Sequence, residues 1–250
     1  VGGGIDLARA VHAREVDFGF ALARPPGHHA TPVRPRGFCV FNAISVAAAS
    51  LIDSGAARRV AVVDWDVHHG NGTQDAFWRR ADVLYLSVHQ WPHFPGSGLS
   101  SEIGGGEGAG HTANVPLPAG CGDDAFLAAF DDLFLPMLDG FAPEHILVSA
   151  GFDGDLRDPL AGMRLTSACY GQLAARVADA ADRLCGGRLT LFLEGGYHLD
   201  ALAEATEIAV RAIRRDPPVD ITTADSPGRE ALEAIEATRA QLGPLWPDII

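Results

Sequence analysis

The sequence predicts an α/β fold built on a mostly parallel central sheet with helices packed on its faces. Two observations carry that prediction. Strand-like and helix-like runs alternate along the 250 residues, as they do when helices cross between parallel strands. The strand-like runs are also short, β-branched or aromatic, and almost continuously apolar, as strands covered on both faces require.

Each element can be justified in order. After Gly2-Gly3-Gly4, residues Ile5–Arg14 follow a helical pattern, and Phe18–Ala23 is the first strand-like run. Arg24–Arg36, with four prolines, reads as loop. Asn42–Ser54 is helical, with Gly55 where a terminating glycine is expected. Val60–Trp65 and Val83–Val88 are strands; the glycine-rich Gly104–Gly110 and the proline-containing Val115–Gly120 read as loop. Asp123–Phe141 is helical with Asp123 or Asp124 as its N-cap, and Ile146–Ala150 is a strand. Ser167–Cys185 is a helix between Thr166 or Ser167 as cap and Gly186 as terminator, and Leu189–Leu193 is the last strand. Leu199–Arg214 and Glu230–Leu242 are helices joined through Asp216–Pro227. No repeat and no dividing linker is visible, so a single domain over 1–250 is expected.

Composition narrows the function. The longest apolar run, Ala43–Ile52, is interrupted by Ser45 and Ser50 and falls short of the roughly 20 residues that span a bilayer. No signal-peptide pattern is visible. Acidic residues outnumber basic ones 32 to 19, for a net charge of −13, which argues against direct nucleic-acid or anionic-membrane binding. The basic pairs Arg58-Arg59, Arg79-Arg80 and Arg214-Arg215 read as solvated faces. All 19 basic residues are arginine, so chemistry that needs a lysine, as a Schiff base or in a phosphate-binding loop, is excluded. The four cysteines lack CxxC spacing and suggest reduced, buried thiols in a cytoplasmic protein. The sequon Asn71-Gly72-Thr73 lies among histidines and aspartates and is not expected to be glycosylated.

The reactive residue types gather where strand-like runs end, where open α/β sheets place ligands. In Asp64-Trp65-Asp66-Val67-His68-His69-Gly70-Asn71-Gly72, alternation along an extended segment turns Asp64, Asp66 and His68 one way and Trp65 and Val67 toward the core, and a glycine-rich turn follows. Two carboxylates and an imidazole make a divalent-metal half-site; a capping aspartate beside a surface histidine is the structural alternative. Arg24-Pro25-Pro26-Gly27-His28-His29 offers a second tandem histidine, either a general base or a pair bonded to loop backbone. Ser149-Ala150-Gly151-Phe152-Asp153 ends another strand with a carboxylate, a third ligand or an Asx-turn. Asp155 and Asp158 read as turn residues. Leu193-Glu194-Gly195-Gly196-Tyr197 supplies a phenol that could donate to an oxyanion or simply pack under a loop.

Together, R-P-P-G-H-H-A, G-F-C-V-F-N (Gly37–Asn42), D-W-D-V-H-H-G-N-G-T, L-S-V-H (Leu86–His89), S-A-G-F-D and L-E-G-G-Y resemble the zinc-dependent histone deacetylase family over nearly the whole chain. The L-E-G-G-Y form and Asn71 are similar to class II members and their bacterial relatives. The resemblance implies a three-layer arginase/deacetylase fold, truncated at its N-terminal side relative to the family. It implies Zn2+ (Fe2+ as alternative) on Asp66, His68 and Asp153, with His29 as general base and His28 as charged partner. Asp64 and Asn71 would orient these histidines, and Tyr197 would donate to the oxyanion. Gly37, Phe38, Phe94 and Leu160 would line the substrate tunnel, and K+ would bind near Asp64, Asp66, His68, Ser87 and Val88. The implied activity is deacetylation of acetyl-lysine in proteins or peptides. Leu160 after Asp158-Pro159 disfavours acetylpolyamines, the alternative substrate alongside other small acylated amines. A non-catalytic acyl-lysine binding module is the alternative from another class. The resemblance implies no oligomeric state.

Overall fold

The structure, a computed structural model, describes residues 1–218 and 227–247; most of the predicted Asp216–Pro227 connection lies outside the described residues. The strands are β1 (Gly19–Ala21), β2 (Val60–Asp64), β3 (Val83–Gln90), β4 (Thr112–Leu117), β5 (His145–Ala150) and β6 (Leu189–Leu193). They form one sheet in the order β1-β6-β5-β2-β3-β4, parallel at every pairing. From β2 the chain steps outward through β3 to β4, then returns to β5 and steps the other way to β6. The winding therefore reverses between β2 and β5, and their carboxyl ends flank the crevice in which doubly wound sheets bind ligands.

Both sheet faces are dry. Ala61, Val63, Leu84, Leu86 and Val148 pack into one core; Val60, Val62, Val83, Tyr85 and Leu147 pack into another. Helices α1 (Gly2–His12) and α2 (Ala43–Asp53) cover the second face. The first face is covered by α4 (Asp123–Ala129), α5 (Leu135–Phe141), α6 (Ser167–Cys185), α7 (Leu199–Arg214) and α8 (Arg229–Leu242). The remaining helix, α3 (Asn71–Phe77), follows β2. Two ends of α6 form as predicted: the Thr166 side chain accepts from Cys169 N–H, and Gly186 turns left-handed with φ 64°.

Four readings need correction. Residues Val115–Leu117 are strand, not loop; β4 lies at the sheet edge, where prolines such as Pro116 are tolerated. Asn71–Phe77 is helix although it begins Asn-Gly. Gly72 serves close packing there, since a side chain would strike the Ala30 carbonyl. The long helix Asp123–Phe141 contains a π turn at Phe130–Phe134 just before Pro136; proline has no N–H to donate to the Asp132 carbonyl, which accepts from Arg239 instead. Finally, neither Asp123 nor Asp124 caps α4, whose N-cap is Gly122; Asp123 instead accepts from the Thr166 N–H and hydroxyl.

Candidate active site

Loops leaving β1, β2, β5 and β6 meet at the crevice. Strand geometry ends at Asp64, and the chain then turns so that Trp65 and Val67 enter the core. The Nδ1 of His68 lies 3.2 Å from Asp66 Oδ1 and 3.0 Å from Asp153 Oδ2. One ligand atom from each of the three lies within 4.8 Å of the others. Both carboxylates are buried, and backbone aims them: Gly195 N–H donates to Asp66 and Val67 N–H to Asp153. Gly151 and Gly195 leave the room, since a Cβ at either would collide with Asp66 or Asp153.

The electrostatics fit a cation. Burial, with the nearby charge of Asp66, pushes Asp153 up to about 6, although His68 opposes the rise. Burial works against charged His68 too, yet its bonds to Asp153 and Asp66 raise it to about 10. Asp66 is held below the usual carboxylate range because His28 and His68 outweigh burial. Two buried carboxylates facing one imidazole nitrogen form the oxygen-and-nitrogen donor set that Zn2+ accepts.

The tandem histidines differ in their partners. His28 Nδ1–H donates to Asp64 Oδ2 at 3.0 Å, and its Nε2 is 3.7 Å from Asp66. Burial alone would lower its pKa; Asp66, Asp64 and Glu194 raise it well above the usual value. Asn71 Nδ2 donates to the His29 carbonyl at 3.3 Å, which turns Asn71 Oδ1 toward His29 Nδ1 at 3.0 Å. That oxygen only accepts, so the Nδ1 of His29 carries the proton and Nε2 keeps a free lone pair. Burial, then the His28 charge, pushes His29 down to about 2. The α3 start supports this loop, with Gly72 and Thr73 N–H both donating to the His28 carbonyl.

Tyr197 is half-buried, its ring 6.1 Å from that of Phe38. Burial and the charges of Asp66 and Asp153 raise its pKa. Phe38 and Phe94 are not core residues, being 71% and 42% exposed. The Phe94 ring stands edge-on to His29 at 5.0 Å and to His68 at 6.3 Å. Gly37 (φ 55°) fits between His29 and Phe94 where a Cβ could not. Leu160 is partly exposed, and its carbonyl accepts from His93 Nε2–H at 3.1 Å. Asp64 pairs with Ser87 across β2 and β3, but the Ser87 hydroxyl bonds His89 Nδ1 and the Val88 side chain is in the core. The potassium reading rests on resemblance alone. His69 turns away, to Ser97 and Gln74.

Sequence reasoning missed four neighbours. Glu194 Oε2 accepts from Gly27 and His28 N–H, and Oε1 from the Ser149 hydroxyl; an acid closing an apolar strand was its only signal. The Tyr85 hydroxyl donates to Asp64 from a run that reads only as strand. His93 stacks on His68 at 4.9 Å. Asp158, read as a turn residue, also accepts from Tyr197 and His198 N–H.

Comparison with known proteins gives the family. The histone deacetylase domain model matches residues 1–213. The chain belongs to the histone deacetylase family. It is 44% identical to histone deacetylase 10, chloroplastic, of Oryza sativa subsp. japonica, over 95% of this chain and 56% of that protein. A probable deacetylase of Archaeoglobus fulgidus is 40% identical, over 84% and 58%. The human polyamine deacetylase HDAC10 is 40% identical, over 99% and 37%. The crystal structure of the HDA15 HD domain superposes with a TM-score of 0.90 at 36% identity, covering 98% of this chain and 68% of that one. The chain thus spans little more than half the length of the rice and archaeal proteins.

Proposed function

We propose that this family member hydrolyses the amide of an acylated amine, with acetyl-lysine in a protein or peptide as the preferred substrate. The observation that carries the reading is the pairing of unequal histidines, His28 on a carboxylate and His29 on an amide, above the buried Asp66–His68–Asp153 cluster. Asp66, His68 and Asp153 would hold Zn2+, which when bound polarises a carbonyl and acidifies water.

The residues do the rest. Neutral His29 offers its Nε2 lone pair to the attacking water and later returns the proton to the departing amine. His28, kept charged by Asp64, adds positive charge where negative charge develops. The Tyr197 hydroxyl, kept protonated by burial and by the nearby carboxylates, donates to the oxyanion. Phe38, Phe94 and Leu160 form apolar walls that suit an uncharged aliphatic arm and exclude water from the reacting amide.

A second reading, acetylpolyamine hydrolysis, is favoured by the name of the human relative. The assay is acetate release from an acetyl-lysine peptide and from acetylspermidine, with and without chelator. We expect faster turnover of the peptide and loss of both activities on chelation. No acetate from either substrate would refute the hydrolase reading, and faster release from acetylspermidine would replace the peptide by the polyamine.

A further inference from the structure

We infer that Asp158 is a positioning residue that couples the oxyanion donor Tyr197 to the tunnel wall at Leu160; this rests on the role given to Tyr197 above. Asp158 is only 7% exposed, and its two oxygens serve different loops. Oδ1 accepts the Leu160 N–H at 3.0 Å. Oδ2 accepts the N–H of Tyr197 at 2.7 Å and of His198 at 3.2 Å. The first bond closes a local turn of the loop after β5. The other two cross about 40 positions of sequence to the loop after β6, which a turn residue has no need to do.

The context shows why such a clamp matters. Tyr197 follows Gly195-Gly196, and Gly196 has φ 130°, a backbone region only glycine enters freely. A phenol carried on such a pivot needs its backbone held from outside. Arg24 holds one side, donating to the Gly196 carbonyl at 2.6 Å, and Asp158 holds the next two amides. Bonds from N–H groups to a carboxylate are stronger than neutral ones. Leu160 is held at both ends of its own backbone: its N–H by Asp158, its carbonyl by His93, whose ring stacks on His68. Asp158 is thus the joint through which the Tyr197 loop, the Leu160 wall and the His68 side of the site keep one spacing. Small misplacements of a catalytic group cost turnover out of proportion to their size.

The test is a double-mutant cycle on the complete chain with bound Zn2+, read by acetyl-lysine peptide hydrolysis. Asp158→Ala is expected to lower kcat about 10- to 100-fold while KM moves less than about threefold. Asp158→Asn keeps one carbonyl oxygen, enough for only one of the two loops, and should show a smaller but measurable loss of kcat, about 5- to 10-fold. The decisive readout is non-additivity. In a Tyr197→Phe background, which has no hydroxyl left to position, Asp158→Ala should cost less than about twofold. A merely structural role would multiply the two losses, and multiplied losses overturn the coupling. So does an Asp158→Ala protein with wild-type kcat. Zinc content and circular dichroism confirm that folded, loaded molecules are compared. Should the alanine variant not fold, Asp158→Asn takes its place in the cycle: non-additive losses support the coupling and multiplied losses overturn it. An inactive wild-type protein would instead bring down the hydrolase reading itself, an outcome separate from failure of the coupling alone.

Discussion

Strand β5 has a histidine cluster at each end, and the two behave in opposite ways. At its amino end His145 is fully buried and lies in a relay without a carboxylate. His12 Nε2–H donates to the Ala56 carbonyl at 2.9 Å, leaving His12 Nδ1 to accept from His145 Nδ1–H at 3.4 Å. His145 Nε2 then accepts from the Thr190 hydroxyl at 3.0 Å. Each ring carries one proton and no charge. Burial, then His12 once acid protonates it, then the Arg188 guanidinium, pushes His145 down to about 3. At the carboxyl end, His28 and His68 are buried too, but carboxylates face them and the shift reverses. Burial alone therefore does not make a reactive histidine. What distinguishes the site is charge of the opposite sign aimed at two of its rings, His28 and His68, beside a neutral His29 held by an amide.

The comparison breaks most visibly at Asp153. Asp153→Ala should abolish bound zinc by elemental analysis and cut turnover by about 10³-fold or more, because a Lewis acid contributes several kcal/mol to such a step. His145→Gln, at the other end of the same strand, should leave zinc content and turnover unchanged. If His145→Gln also lost zinc, the two ends would not be independent. Next in size, Tyr197→Phe should lower kcat about 10²–10³-fold, the usual cost of one oxyanion donor, with zinc content intact. Wild-type turnover in that variant would return Tyr197 to a packing role.

The amino end makes a prediction of its own, in acid. His145 binds its proton near pH 6.5 when unfolded but only near 3 when folded. Between those values the unfolded chain holds more protons, so stability falls as pH drops through 6.5 toward 3. At pH 5 this one residue should cost about 2 kcal/mol relative to pH 7.5. Denaturant titrations of wild type and His145→Gln at both pH values measure it: the variant's loss should be smaller by that amount. Equal losses would mean that His145 is protonated in the folded state.

The same contrast shows what the sequence made legible. The carboxyl-end chemistry could be read because its parts are local: a run of apolar residues, then acids, histidines and glycines, repeated at β1, β2, β5 and β6. The neutral cluster could not, since His12, Ala56, His145 and Thr190 come from four separate segments and carry no motif. Partnership hid the supports as well. Nothing near Glu194 announces that it holds the Gly27-His28 amides, and nothing near Asp158 announces that it reaches Tyr197. Composition misled at β4, where Pro116 sits in an edge strand rather than a loop, and at Gly72, where glycine marks tight packing rather than a turn. Trp65 and Val67 enter the core as alternation expects, although strand geometry ends at Asp64 and the turn of the chain, not the pleat, carries them there.

The smallest expected effect tests whether stability at the carboxyl end can be changed apart from both histidine clusters. Thr166 begins α6, just beyond the loop that carries Asp153 and Asp158. Its side chain accepts from Cys169 N–H, and its hydroxyl donates to Asp123 Oδ2 at 2.6 Å. Loss of an N-cap costs about 1 kcal/mol, and the half-buried partner Asp123 keeps its bond from the Thr166 N–H, so little is added by loss of the hydroxyl. Thr166→Ala should therefore lower the unfolding free energy by about 1 kcal/mol at pH 7.5 and at pH 5 alike. A threonine does not titrate, so the acid-induced loss should stay that of wild type, and turnover and zinc content should not move. A changed acid slope would show that helix α6 and the His145 cluster unfold as a linked unit. A fall in turnover would show that the cap steadies the Asp153–Asp158 loop, and the proposed active site would then reach one helical turn further than its side chains indicate.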